Sequence, residues 1–177
     1  MVQVEQLIRI PFLQGLPAST LRALAEAASE LTLRPGDFIV HQHDQAQHVF
    51  FLGAGVVQIF IHFQGVDDLL VGTLRQPGSL IGWSVFRKPY RYTASVRCEE
   101  PSRLVRVPRE VLDELIHHEP RLGYLLLRRA AAALADRLEQ TRGLLVRTPE
   151  VSPPPELRPG GGNNEILCSA SSKLPVL

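Results

Sequence analysis

Val49-Phe50-Phe51-Leu52-Gly53-Ala54-Gly55-Val56-Val57-Gln58-Ile59-Phe60-Ile61 sets two short apolar runs, rich in β-branched and aromatic residues, on either side of a glycine pair. Runs this short, bounded by turn formers, read as strands rather than helices. Glycine takes a positive φ without strain, so the connection between them reads as a hairpin. The same grammar extends outward. Upstream, Leu31-Thr32-Leu33, the turn Arg34-Pro35-Gly36-Asp37 and Phe38-Ile39-Val40 form a strand–turn–strand signature. Downstream, Leu69–Leu74, Tyr92–Arg97 and Ser102–Val107 continue it. Short strands in series, separated by Gly, Pro and Asp turns, predict a mainly β fold, an antiparallel β-roll or jelly-roll barrel.

Helical period flanks this region. Pro17-Ala18-Ser19-Thr20 precedes Leu21, Leu24, Ala25 and Ala28 at helical spacing, which predicts a short helix. Val4, Leu7, Ile8, Phe12 and Leu13 form a weaker stripe, interrupted by Pro11 and Gly15 and expected on the flank of the domain. At Pro108 the helical period returns, with Val111, Leu112, Leu115 and Ile116 on one face. A longer helix follows from about Arg121 to Val146. Its residues Leu127, Ala131, Leu134, Leu138, Thr141 and Leu145 alternate spacings of four and three, the pattern of a coiled-coil seam. Such a seam invites a second copy or another protein's helix; the other reading is an amphipathic helix folded back on its own barrel. The expected organisation is a domain over 1–146, with the roll at about 30–107 and the C-terminal helices at about 108–146. Residues 147–177, with Pro153-Pro154-Pro155 and Pro159-Gly160-Gly161-Gly162, read as a disordered tail.

Composition narrows the function. Nineteen Lys and Arg against eighteen Asp and Glu leave a formal charge of +1, which excludes a polyanion binder driven by bulk charge. Two cysteines, Cys98 and Cys168, far apart in the chain, supply neither a disulfide framework nor a four-ligand zinc site, which fits a reducing compartment. No apolar run has the length of a membrane span and no basic-then-apolar leader opens the chain, so a soluble, cytoplasmic protein is expected. No Ser/His/Asp, Cys/His or paired-carboxylate arrangement stands out, and no enzymatic activity is expected. His41, His43 and His48 surround Asp44, but on strand and turn segments they read as solvated side chains rather than metal ligands. Cys98, beside Glu99 and Glu100, is expected to have a raised pKa and low reactivity.

The order of helix, strands, then two helices with the last one long resembles the cyclic nucleotide-binding domain of the catabolite-activator-like (Crp/Fnr-type) regulators. The resemblance rests on Phe12-Leu13-Gln14-Gly15-Leu16, the turn Pro35-Gly36-Asp37, Asp44 ahead of Val49–Leu52, and Gly55. Pro77-Gly78, Ile81-Gly82 and Ala94-Ser95-Val96-Arg97 complete it, over roughly residues 8–146. The resemblance implies a ligand cassette between two strands, here Gly78 to Val96. In that family one arginine and the backbone N–H groups of a helix start neutralise a cyclic phosphate, and a carboxylate accepts the ribose hydroxyl. The residues implied for the site are Ile81, Gly82, Trp83, Ser84, Arg91, Tyr92, Thr93 and Ala94. The cassette departs from the pattern at both charges: the family's glutamate falls at Trp83 and its arginine at Tyr92, with Thr93 next to it.

No Asp or Glu occurs from Leu80 to Cys98, so the ribose acceptor is missing in any register. Arg91 lies one residue from the expected slot, but a one-residue slip flips a side chain to the other face, so Arg91 and Tyr92 cannot both point inward. Three outcomes remain open at this point: an aromatic plug and no ligand, another small ligand, or a cyclic nucleotide (cAMP or cGMP) held through Arg91 and backbone amides. The resembling regulators carry a helix-turn-helix after the long helix. About thirty Pro- and Gly-rich residues stand there instead, and direct DNA binding is not expected. The expected role is a stand-alone regulatory domain with altered or lost cyclic-nucleotide binding, signalling through its long helix. The alternative is an interaction module that binds no ligand and dimerises through that helix.

Overall fold

Among the described residues, eight strands divide between two antiparallel sheets. The strands are β1 (Ser29–Leu33), β2 (Phe38–Val40), β3 (His48–Ala54), β4 (Val57–Ile61), β5 (Leu69–Leu74), β6 (Leu80–Ile81), β7 (Ser95–Cys98) and β8 (Ser102–Pro108). One sheet has the order β1-β8-β3-β6 and the other β2-β7-β4-β5. The N-terminal layer is α1 (Val4–Ile8), a 3-10 turn at Pro11–Leu13 and α2 (Ala18–Ala27); α3 (Arg109–His118) and α4 (Pro120–Leu145) follow the strands. The computed structural model describes residues 2–145 except 64 and 66, all within the compact unit Met1–Arg147. The tail expected over 147–177 lies outside the described residues.

The expected hairpin at Gly53-Ala54-Gly55 is not one. β3 and β4 belong to different sheets, so this turn carries the chain across the roll, and the true hairpin is β4 with β5. Gly55 has φ +99°, and a Cβ there would stand 2.5 Å from the Pro101 carbonyl oxygen. The turn is therefore pressed against residues 101–102, a contact that local sequence does not display. The turn at 34–37 likewise passes from β1 in one sheet to β2 in the other. The strand expected from Tyr92 begins only at Ser95.

β3 is apolar without alternation because Val49, Phe50, Phe51 and Leu52 are all buried, as expected of a strand covered on both faces. Phe51 meets the N-terminal layer, its ring 5.5 Å from that of Phe12. Phe50, Leu52, Leu104 and Ile81 share the opposite face, inside the roll.

α4 packs on α3 and the roll with Leu122, Leu126 and Ala130, all buried. Gly123 admits the close approach of Ile116, whose Cγ2 would stand 2.7 Å from an added Cβ. Arg129 fastens the helix to the N-terminal layer by donating to the Phe12 and Gln14 carbonyls, each at 2.6 Å. Arg137 donates to the Leu80 carbonyl at 3.1 Å, and its burial pushes its pKa down.

Candidate ligand-binding cassette

The turn of the cassette begins where β6 ends. Gly82 takes the left-handed conformation, φ +83°, and caps a 3-10 turn over Trp83–Phe86. A Cβ at Gly82 would stand 2.9 Å from the His48 carbonyl oxygen and 3.2 Å from a ring carbon of Tyr92, so both backbone shape and space demand glycine. Ile81 and Ser84 are buried, and Trp83 is half-buried with the Arg87 guanidinium 6.0 Å from its ring. Thr93 is exposed and Ala94 half-buried.

Positions 91 and 92, which precede β7, point opposite ways. Tyr92 turns inward and is 6% exposed. Its hydroxyl donates to the His48 carbonyl at 2.8 Å and accepts the His48 amide N–H at 3.2 Å. Burial raises the phenol's pKa, against the lowering effect of its hydrogen bond with His48, so the neutral donor form is favoured. Arg91 turns outward, is exposed, and donates from its guanidinium to the His43 carbonyl at 2.7 Å. His43 reaches that contact with φ +72°. Backbone bonds complete the clasp: His43 N–H donates to the Tyr92 carbonyl at 2.8 Å, and Tyr92 N–H to the Asp44 carbonyl at 2.9 Å.

The eight implied residues lie in two stretches, 81–84 and 91–94, which meet where Gly82 abuts the Tyr92 ring, but Arg91 faces away from the roll interior that Tyr92 occupies. Nothing in local pattern marks His48 as the partner of Tyr92. The one available signal is the residue facing it across β3 and β8: Pro108, which has no amide hydrogen to offer. Among the described residues no group of three or more His, Cys, Asp and Glu could hold a metal ion. Cys98 is buried with a raised pKa; desolvation is the main cause and Asp37 adds to it, rather than the expected Glu99 and Glu100.

The expected seam of α4 does not face the roll. Leu127 is 50% and Leu138 52% exposed, Ala131 is exposed and Leu134 half-buried, while Leu122, Leu126 and Ala130 make the intramolecular contact. Leu145 lies at the helix end, its side chain outside the described residues. Two crevices are lined by none of the residues 81–94. One, of about 340 Å³, separates the Leu74–Leu80 segment from α4; the other, of about 370 Å³, lies beside α1. No described helix is long and apolar enough to cross a membrane.

Residues 30–119 match the cyclic nucleotide-binding domain family. A Geobacter metallireducens protein described as cyclic nucleotide-binding is 28% identical with TM-score 0.69, the match covering 78% of this chain and 99% of that one. The Thermus thermophilus catabolite activator protein is 25% identical with TM-score 0.59, over 77% of this chain and 62% of that one. The sensor domain of the Pseudomonas aeruginosa transcriptional regulator DNR, at 18% identity and TM-score 0.63, shares the fold over 76% of this chain and 95% of its own. No curated protein sequence matches the chain significantly.

Proposed function

The chain belongs to the cyclic nucleotide-binding domain family, and from that membership we propose that it is a non-catalytic regulatory domain whose cassette does not hold a cyclic nucleotide in the family's manner. The reversal at positions 91 and 92 carries the reading. A phenol, satisfied by the peptide groups of His48, stands inside the roll, and the adjacent guanidinium is engaged outside it on the His43 carbonyl. With no carboxylate from Leu80 to Cys98, a cyclic phosphodiester entering here would meet neither its counter-charge nor its ribose acceptor. The aromatic side chains of Trp83 and Tyr92 in the cassette suit an uncharged planar ligand.

Output runs through α4. Arg137 joins the helix to Leu80, at the start of β6 and of the cassette, so a ligand that favours one arrangement of this junction shifts the helix with it. The outward stripe of Leu127, Ala131, Leu134 and Leu138 supports pairing with a second copy of the chain. A second reading, an interaction module with a plugged roll, is favoured by the same Tyr92, whose ring and hydroxyl are already fully used.

Isothermal titration with cAMP and cGMP tests the central claim. The expected result is no binding tighter than about 1 mM, since loss of a buried charge-assisted pair weakens a micromolar site by roughly a hundredfold or more. Sub-millimolar binding abolished by Arg91→Ala would overturn it. A shift in dimerisation with an uncharged aromatic ligand would select the sensor over the plugged module.

A further inference from the structure

The crevice beside α1 opens on the outer face of the first sheet, at the end of the N-terminal helical cover. Strand register puts Glu30, Thr32, Phe51, Arg103 and Val105 on that face. The end of α1 adds Gln6, Arg9 and Ile10, and the Pro77-Gly78 segment closes another side. Its apolar lining comes from Ile10, Phe51 and Val105, all buried.

The charges in it are unbalanced. Arg9 and Arg103 are both exposed, and among the described residues neither guanidinium has a hydrogen bond or an ion pair. Glu30, the carboxylate lining the same space, already accepts a hydrogen bond from the Gln6 side-chain amide. Two guanidiniums against one carboxylate leave a net formal charge of +1. We propose that this crevice binds a small organic monoanion, a carboxylate on an apolar body, at a site that uses none of the cassette residues 81–94. An apolar floor with a few polar groups at its rim is the usual make-up of a small-molecule site, and about 370 Å³ is within the usual size range. A guanidinium presents paired N–H donors that match the two oxygens of a carboxylate. Glu30 decides against a phosphate monoester, because a second negative charge on the ligand would be repelled at close range. The site does not depend on the identity of the cassette ligand, so it can fail or stand independently of the proposed function.

The test is calorimetric titration of the full chain at fixed ionic strength with phenylacetate, phenylacetamide and phenyl phosphate, repeated on Arg9→Gln and Arg103→Gln. Both positions are exposed, and unchanged melting curves will establish that the variants fold. Saturable phenylacetate binding at about millimolar or tighter is expected, one per chain. Each substitution should weaken it about tenfold or more, and phenylacetamide should bind about tenfold or more weakly than phenylacetate. Absence of saturable binding at about 10 mM, or binding indifferent to both substitutions, would overturn the proposal. Equal binding of phenylacetamide, or tighter binding of phenyl phosphate, would overturn it as well.

Discussion

Tyr92→Phe deletes one oxygen atom and leaves the ring in place. That oxygen gives one hydrogen bond to the His48 carbonyl at 2.8 Å and takes one from the His48 amide at 3.2 Å. Pro108, opposite His48 in the β3–β8 ladder, cannot replace the donor. Each intramolecular hydrogen bond contributes about 0.5–1.5 kcal/mol net, and a buried polar group left bare costs about 1–3 kcal/mol. Both contacts are only partly buried, so water relieves some of that cost, and the substitution should destabilise by about 1–3 kcal/mol. No cavity term is added, because the ring still fills its site. Urea unfolding followed by circular dichroism should show a lower midpoint with an unchanged slope. The melting temperature should drop by about 2–12 °C, at roughly 2–4 °C per kcal/mol for a chain of this size. A variant within about 0.3 kcal/mol of the parent would refute the idea that the hydroxyl pins the cassette to β3.

The His48 ring has its pKa lowered, first by burial and then by Arg106, with Glu110 opposing. The neutral ring is thus favoured in the folded state, and its stabilising contribution is complete above the ordinary imidazole value of about 6.5. As pH falls below that value the unfolded chain takes up the proton first and stability declines; pH-dependent melting should show this, and His48→Gln should flatten it. Leu126→Ala, at a side chain 1% exposed, should cost about 2–5 kcal/mol in urea unfolding, whereas Leu138→Ala, on the outward stripe, should stay within about 0.5 kcal/mol when measured at monomeric concentration. Sedimentation should then show Leu138→Asp weakening self-association; a variant that associates as the parent does would remove α4 as the pairing surface. In Cys168→Ser, so that Cys98 is the sole thiol, labelling by a disulfide reagent should be slow in the folded chain and fast in urea, because burial both hides the thiol and disfavours the thiolate.

Local pattern determined a great deal about this protein. Period-two runs and turn residues announced the strands, helical spacing announced α2, α3 and α4, and the lack of acids between Leu80 and Cys98 was plain in the chain itself. Those features were legible because they depend on residues within a few positions of one another. The alternation that keeps Arg91 and Tyr92 on opposite faces was legible too, but not which of them faces in. That choice belongs to contacts between segments far apart in the chain: His48 captures the phenol, and the carbonyl of His43 captures the guanidinium. The turn at Gly53-Ala54-Gly55 looked like a hairpin because its glycines satisfy one; packing against residues 101–102 sends the chain across to the other sheet instead. α4 showed a seam in its spacing, yet only tertiary packing selected Leu122, Leu126 and Ala130 for the roll and turned Leu127 and Leu138 outward. The crevice lined by both Arg9 and Arg103 is likewise a product of folding, since it joins the end of α1 to a strand more than ninety residues away. Periodicity fixes which residues share a face, and the packing of distant segments decides what that face meets.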